Sequence, residues 1–181
     1  MDEAINPEQV AEMQTQNCLF CQIISGVVSS SKIYEDEETI AILDINPANP
    51  GHLLILPKEH YTIMPQIPES TIGHLFKLAK HLSQSLLKTL KAEGTNIYIA
   101  NGVVAGQQAP HFMIHLIPRK INDGLNFKQK KIKSNKKTYE ELQKSINSSF
   151  GVKKPINLEV KKESIKSEVA DLDKITDLLT K

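Results

Sequence analysis

The sequence predicts an α+β domain with a mainly antiparallel sheet and one long helix, followed by a lysine-rich extension. Three observations support this fold class. Several short apolar segments are separated by turn-forming residues, one longer segment has helical periodicity, and the composition changes after Arg119. Apolar residues make up 40% of the 181 positions, which is enough for a packed core although tryptophan is absent.

The N-terminal part of the chain is predicted to contain a polar arm and two strands. The arm covers residues 1–16 and has helical periodicity over 7–13, while residues 18–25 suit a short helix or a turn. Strands are expected at 32–36 and 39–44, because apolar and β-branched residues are bounded there by an acidic three-residue turn.

The best-defined element is a long helix. It follows a loop over 46–51, rich in Pro and Gly, and an apolar strand over 52–56. Residues 68–91 then place apolar side chains three and four apart, as on the buried face of an amphipathic helix. A proline suits the first turn of this helix, and Gly94 suits its end.

The remaining elements are shorter. A strand is predicted at 95–100, a loop at 101–110 and the last strand of the domain at 111–118. Beyond the domain, residues 136–148 and 163–179 have partial helical periodicity.

The basic residues are concentrated in the C-terminal extension. Lys120 to Lys181 contains 15 of the 22 basic residues and 9 of the 21 acidic ones, so this part is positive and the domain before it is negative. Residues 128–137 are expected to form an exposed linker. Such lysines can contact nucleic acid nonspecifically, but a solvated surface is favoured because no aromatic residues are interleaved with them.

The sequence favours a cytoplasmic protein without a membrane segment. No run of 18 apolar residues occurs, and the acidic, polar start is unlike a signal peptide. Cys18 and Cys21 form the single CxxC pair. In a reducing compartment this spacing indicates half of a metal site or a redox pair more often than a structural disulfide.

The last predicted strand carries two histidines. Alternation along a strand places His111, Met113 and His115 on one face and Phe112 and Ile114 in the core. The histidines alone are as compatible with a buried structural pair as with a functional site.

The loop before this strand adds a second observation. Asn101, Gly106 and Gln107 could offer N–H groups and amides to an anion, although an ordinary hairpin loop remains an alternative. Asp44, at the end of a strand, is equally compatible with a binding role and with capping a turn.

Several motifs together resemble the histidine-triad (HIT) family of nucleotide-binding proteins. They occur in the family order over residues 17–122, which we take as the domain, between the arm at 1–16 and the extension at 123–181. The matching segments are Cys18-Leu-Phe-Cys21, Tyr34-Glu-Asp, Leu43-Asp44-Ile45, Pro50-Gly51-His52, Ile55-Leu56-Pro57-Lys58-Glu59-His60, Asn101, Gly106-Gln107 and His111 to Arg119.

The resemblance implies a homodimer that binds purine nucleotides. In the family, the middle histidine of a His-x-His-x-His triad attacks the α-phosphorus of a nucleotide and forms a covalent nucleotidyl-histidine. This sequence keeps the first and third positions as His111 and His115, but the middle position is Met113. A thioether cannot be activated by deprotonation and cannot donate a hydrogen bond to phosphate, so we interpret Met113 as a space-filling side chain.

The resemblance also implies a metal site. Some HIT proteins hold a structural zinc ion with the CxxC, the histidine of the Pro-Lys-x-His segment and the first triad histidine. The matching residues are Cys18, Cys21, His60 and His111. A reduced CxxC that packs as a small apolar pair is the alternative.

The family pattern assigns nucleotide-binding roles to six residues. Asp44 would accept hydrogen bonds from the ribose hydroxyls, Ile45 would contact the base, and His115 would stabilise the phosphate. Asn101, Gly106 and Gln107 would complete the phosphate site, and His52 would support the strand. Arg119 could reach a phosphate, but a solvated arginine is the preferred interpretation.

Three functional hypotheses follow. We favour a zinc-containing HIT protein that binds a purine nucleotide with weak or absent hydrolysis. The alternatives are an active nucleotide hydrolase with a modified mechanism, and a binding or adaptor module that uses its basic tail.

Overall fold

A five-stranded antiparallel sheet forms the centre of the structure, a computed structural model that describes residues 15–126 and 131–151. The strands are β1 Lys32–Glu35, β2 Thr39–Leu43, β3 Leu53–Pro57, β4 Gly94–Tyr98 and β5 Ile114–Arg119. The helices are α1 Leu19–Ile24, α2 Glu69–Thr89 and α3 Lys136–Ser149, and short 3-10 helices cover Met64–Gln66 and Val103–Ala105. The order β1-β2-β3-β5-β4 confirms the predicted α+β class with an antiparallel sheet and one long helix.

The two faces of the sheet bury different apolar clusters. The helix α2 covers one face, with Leu75 and Leu86 packed in the same cluster as Phe112 and Ile114. The opposite face packs against α1, in a cluster that Met113 joins as a partly buried member. Because side chains alternate along an extended chain, Phe112 and Ile114 enter the α2 side while Met113 lies on the α1 side.

The helix α2 ends two residues earlier than predicted. It was expected to reach Lys91 and to stop near Gly94, but its last residue is Thr89. Lys91 adopts a left-handed conformation with φ of 51°, which turns the chain out of the helix. Gly94 is therefore the first residue of β4 and does not terminate the helix.

The strand β5 begins at Ile114, three residues after the predicted start at His111. The backbone N–H of Phe112 donates to the carbonyl of Tyr61 at 2.6 Å, so this segment is bonded to the chain that follows β3. The strand pairing with β3 starts only at Ile114. The strand β4 is likewise displaced from the predicted 95–100 and covers Gly94–Tyr98.

Gly51 fixes the loop before β3. Its φ of +89° is a conformation that side-chain-bearing residues rarely adopt, and a Cβ at this position would collide with the side chain of Leu90 at the end of α2. The loop over residues 46–51, called loop 46–51 below, is thus packed closely against the end of the long helix.

The chain divides into two units, Met1–Phe127 and Lys128–Lys181. In the second unit, α3 begins at residue 136, where helical periodicity was predicted. The side chain of Asn135 caps the helix by accepting a hydrogen bond from the N–H of Thr138 at 2.9 Å.

The segments 7–13 and 163–179, predicted to have helical character, lie outside the described residues. Within the described ranges, no helix combines the length and the apolar character that crossing a membrane requires.

The predicted acidic turn between β1 and β2 is organised by one carboxylate. Oδ1 of Asp36 accepts hydrogen bonds from the N–H groups of Glu38 and Thr39 and from the Thr39 hydroxyl, at 3.0, 2.7 and 2.9 Å. Its Oδ2 accepts from the Tyr34 hydroxyl at 2.8 Å and lies 2.6 Å from Nε2 of His74 on α2. Burial alone would raise the pKa of Asp36, but the hydrogen bonds outweigh it and hold that pKa well below its usual range.

Replacing Asp36 should therefore destabilise the domain. We expect Asp36→Ala to lower the free energy of unfolding at pH 7 by about 2 kcal/mol, because several donors lose their acceptor. The folded-state pKa lies below the unfolded value of about 3.9, so the contribution is present above about pH 4 and decreases as the pH falls through the folded-state value. Urea unfolding at pH 7 and pH 3 measures both effects.

The exposed neighbour Glu37 provides the control for this measurement. Glu37→Ala should change the free energy of unfolding by less than about 0.5 kcal/mol. Equal losses in the two variants, or a difference that grows towards pH 3, would contradict the assigned role of Asp36.

Candidate functional site

Two cysteines and two histidines from separate parts of the chain meet on the α1 face. Cys18 and Cys21 lie at the start of α1, His60 follows β3, and His111 precedes β5. Their donor atoms all lie within 4.8 Å of one another. Sγ of Cys18 and Sγ of Cys21 are each 3.6 Å from Nδ1 of His111, and Sγ of Cys21 is 3.2 Å from Nδ1 of His60. We call these four residues the cysteine–histidine cluster.

These distances suit a tetrahedral metal ion. Bonds of about 2.3 Å to sulfur and about 2.0 Å to nitrogen, separated by a tetrahedral angle, place sulfur and nitrogen about 3.5 Å apart. Both separations between His111 and the cysteines are 3.6 Å, close to this value, and the one between His60 and Cys21 is 3.2 Å. Both thiols are free and buried, so the donor set matches zinc in chemistry as well as in spacing.

The tautomer of His111 is fixed by a main-chain group. Nε2 of His111 lies 3.0 Å from the carbonyl oxygen of Pro57, which can only accept, so Nε2 carries the proton and donates. In the neutral ring, Nδ1 is then unprotonated and faces the two cysteines. Metal-binding histidines are typically oriented by such a second hydrogen bond.

Burial opposes charge on the side chains of this cluster. It raises the pKa of Cys21 to about 12, and the neighbouring Cys18 adds to the shift. Burial also lowers the pKa of His111 to about 4, although the bond to Pro57 favours the protonated ring. A bound cation would compensate the negative charge of two buried thiolates, which the surrounding protein groups do not compensate.

A second group joins Asp44, His52 and His115. Nε2 of His52 lies 3.1 Å from Nδ1 of His115, and Nδ1 of His52 lies 3.3 Å from Oδ2 of Asp44. His52 is buried, and the other two side chains are partly exposed. His115 stands opposite Leu54 in the pairing of β5 with β3, and Leu54 belongs to the cluster on the α1 face.

A backbone N–H determines the tautomers of the two histidines in this group. Two groups approach Nδ1 of His52, the N–H of Ala48 at 3.2 Å and the carboxylate of Asp44 at 3.3 Å, but only the Ala48 N–H makes a hydrogen bond to it, so this nitrogen is unprotonated in the neutral ring. Nε2 of His52 then carries the proton and donates to Nδ1 of His115. Nε2 of His115 is therefore left as an N–H donor.

Burial keeps the two rings neutral at pH 7. It lowers the pKa of His52 and of His115, and the proximity of the rings adds to the shift of His115. The Asp44 carboxylate acts in the opposite direction on both rings. With the nitrogens of His52 occupied by a donor and a proton, this group is better described as a hydrogen-bonded chain than as a metal site.

The loop over residues 101–110 is connected to His115 through Tyr98. The rings of Tyr98 and His115 have centroids 5.8 Å apart, and the Tyr98 hydroxyl donates to the carbonyl of Ala105 at 3.0 Å. A Cβ at Gly106 would lie 3.3 Å from that hydroxyl, and Gly106 has a φ of +92°. A glycine thus allows the loop to approach the aromatic ring.

The predicted phosphate donors of this loop are used within the loop. The N–H groups of Gly106 and Gln107 donate to Val103 and Gly102, and the Gln107 amide donates to the carbonyls of Thr62 and Ala109. Gly106 and Gln107 therefore shape the loop and present no free N–H.

Asn101 and Ile45 remain accessible. Oδ1 of Asn101 accepts from the N–H of Met64 at 2.9 Å, which leaves its Nδ2 without a hydrogen bond among the described residues. The side chain of Ile45 is 88% exposed and follows Asp44 in the chain. This exposure leaves it available for contact with a ligand.

Arg119 is not the solvated side chain that the sequence predicted. Its Nε and Nη2 donate to the two oxygens of Asp123 at 2.6 and 2.8 Å, and Nη1 donates to Oδ1 of Asn96 at 2.5 Å. The pair holds the pKa of Asp123 well below its usual range. The sequence did not predict this pair, because no motif marks it. The turn after the last strand brings the carboxylate of Asp123 back to the guanidinium of Arg119.

The comparisons with known proteins agree with this geometry. The model of the HIT domain matches residues 25–122, more than half of the chain. The chain belongs to the HIT family. The resemblance noted in its motifs is thereby confirmed at the level of the family.

HIT relatives extend the comparison. An uncharacterised HIT-like protein of Methanocaldococcus jannaschii is 43% identical over 107 residues, which are 59% of this chain and 82% of that protein. Adenylylsulfatase HINT3 of Arabidopsis thaliana is 38% identical over 109 residues, which are 60% of this chain and 55% of that protein.

Solved HIT structures have the same fold. A HIT family protein from Bacillus anthracis superposes with a TM-score of 0.69 at 33% identity, over 74% of this chain and 96% of that one. A Zn-bound histidine triad family protein from Mycobacterium smegmatis gives a TM-score of 0.60 at 30% identity, over 76% and 97% of the two chains.

Proposed function

We propose that this HIT protein binds a purine nucleotide through Asp44, Ile45, Asn101 and His115, beside a loop that Gly106 and Gln107 shape, with nucleotidyl hydrolysis weak or absent. The observation that carries the proposal is the ordered chain from Ala48 through His52 to His115, which leaves Nε2 of His115 as a neutral donor. A donor at this position suits a phosphate oxygen. Met113, two residues before His115, offers neither a donor nor an activated nucleophile.

The relatives support the choice of the first ligand to test. One HIT relative is named an adenylylsulfatase, which favours an adenine nucleotide as the probe. Oδ1 of Asp44 accepts from the N–H of Asn46 at 2.8 Å, and Oδ2 faces His52. A carboxylate held in this way is oriented before a ribose arrives, which lowers the entropy cost of binding.

The ribose role of Asp44 is testable by calorimetry. We expect adenosine monophosphate to bind, and Asp44→Ala to weaken binding by about tenfold, since a hydrogen bond to a charged group contributes about 1.5 kcal/mol or more. The wild type should bind the 2′,3′-dideoxy analogue about tenfold more weakly than adenosine monophosphate. The Asp44→Ala variant should bind the two nucleotides with equal affinity. Equal affinity of the wild type for both nucleotides would exclude this role.

We further propose that the cysteine–histidine cluster holds one structural zinc ion per chain. The support is the tetrahedral spacing, the His111 tautomer set by Pro57, and the Zn-bound histidine triad relative. Zinc bound there would tie α1 to the segments that flank β3 and β5, and it would contribute folding free energy directly.

Metal analysis tests the zinc proposal. Protein purified without added metal should contain one zinc per chain, and His60→Ala should lose it. If zinc is present at about a thousand times its Kd, the loss should lower the free energy of unfolding by about 4 kcal/mol. His81→Ala, which replaces an exposed histidine of α2, should keep both metal and stability. A folded, zinc-free wild type with reduced cysteines would contradict the proposal.

The homodimer implied by the family is also a proposal, with β4 as the contact strand. β4 is an edge strand of the described sheet, and Ile97 and Tyr98 are 48% and 40% exposed. An uncovered edge strand with exposed apolar side chains is a surface that a second copy can extend.

The position of Met113 makes a gain of function testable. If only the nucleophile is missing, Met113→His should raise hydrolysis of an adenosine phosphoramidate by several orders of magnitude, because removing a nucleophile in a protease costs about a million-fold. Single-turnover assays at neutral pH measure the change.

Met113→Leu is the matched control, since it keeps an apolar side chain and should remain inactive. Both variants should bind adenosine monophosphate like the wild type. A folded Met113→His variant that binds the nucleotide without any gain would show that more than the nucleophile is missing. Hydrolysis by the wild type itself would favour the modified mechanism instead.

A further inference from the structure

A hydrogen-bonded network connects loop 46–51 to the turn after β5. Nδ2 of Asn49 donates to the carbonyl of Pro118 at 2.9 Å and to Oδ2 of Asp123 at 2.8 Å. Asn49 and Asp123 are 74 residues apart in the chain, so this contact joins two segments that are distant in the sequence.

Asp123 is itself held rigidly. Arg119 binds both of its oxygens, and the N–H groups of Lys120 and Leu125 donate to them at 3.2 and 3.0 Å. A carboxylate with this many donors has a single orientation. Asn49 is therefore bonded to a fixed acceptor and not to a mobile surface side chain.

The same loop holds both the backbone and the ring of His52. The N–H of His52 donates to the carbonyl of Asn49 at 3.0 Å, and the N–H of Ala48 donates to Nδ1 of His52 at 3.2 Å. The His52 carbonyl in turn accepts from the N–H of Asp44 at 3.0 Å. Movement of residues 48 and 49 would therefore change the orientation of His52 and the hydrogen bond that His52 makes to His115.

We propose that Asn49 is a positioning residue, which sets the His52–His115 pair by fixing loop 46–51 to Asp123 and Pro118. Asn49 lies outside the proposed nucleotide contacts and acts through the loop. It determines which nitrogen of His52 meets a donor, and hence whether Nε2 of His115 carries the proton that it would donate to a ligand. Only the expected effect of Asn49 on nucleotide affinity rests on the proposed function, and its effect on the two histidines does not.

The experiment compares two asparagines of the same loop in the zinc-loaded full chain. Asn49→Ala removes both side-chain hydrogen bonds, whereas Asn46→Ala removes an exposed side chain for which no bond is seen. NMR of the 15N-labelled imidazoles reports the tautomers of His52 and His115 without any nucleotide. Calorimetry with adenosine monophosphate reports the affinity.

We expect Asn49→Ala to shift or broaden the His52 and His115 signals towards a mixture of tautomers and to weaken nucleotide binding about tenfold, as loss of a second-sphere partner typically does. Asn46→Ala should leave the signals in place and the affinity within about twofold. Asp123→Asn, which keeps the shape of the side chain but lacks the second acceptor oxygen, should change the signals in the same direction as Asn49→Ala.

Unchanged imidazole signals in Asn49→Ala would overturn the proposal, even if the variant were less stable, because lower stability alone indicates a purely structural role. An unchanged affinity beside altered signals would also overturn the link to binding. If the wild type binds no adenosine monophosphate, the proposed function fails, and the imidazole signals still decide the role of Asn49.

Discussion

The antiparallel pairing of β3 with β5 is the interaction on which both sites depend. β3 begins directly after His52 and ends at Pro57, whose carbonyl accepts from His111, and His60 follows three residues later. β5 contains His115 and is preceded by His111. The register places Leu54 opposite His115. A slip of one residue would move His115 to the α2 face, where it would meet apolar side chains, so burial on both faces protects the register that assembles the two sites.

Main-chain groups then give similar histidines different chemistry. The Pro57 carbonyl places the proton of His111 on Nε2 and leaves Nδ1 free towards the cysteines. The Ala48 N–H leaves Nδ1 of His52 unprotonated and so makes Nε2 of His115 a donor. Backbone groups do not titrate near neutral pH. They therefore specify tautomers more firmly than a second titratable side chain would, and burial keeps the rings neutral at pH 7.

Local patterns in the sequence predicted much of the fold but little of the network that supports the site. The helix α2 was evident because a buried face repeats over 21 residues. The start of β5 was wrong because the Phe112 N–H has a partner, Tyr61, that periodicity cannot show. Spacing and family motifs suggested the cysteine–histidine cluster. The bond from Asn49 to Asp123 had no signal in the sequence, because neither residue belongs to a motif and only the completed sheet brings them together.

In the proposed nucleotide site, Met113 would allow binding without the covalent step of the family mechanism. Its side chain packs on the α1 face with the apolar cluster and offers no polar group. The proposed phosphate donors, Nε2 of His115 and Nδ2 of Asn101, could hold and orient a phosphate, but neither protonated nitrogen offers a lone pair to phosphorus. Positioned donors cannot replace the covalent step of the family mechanism. In the proposed nucleotide site, turnover would therefore depend on a nucleophile that this chain does not supply at position 113.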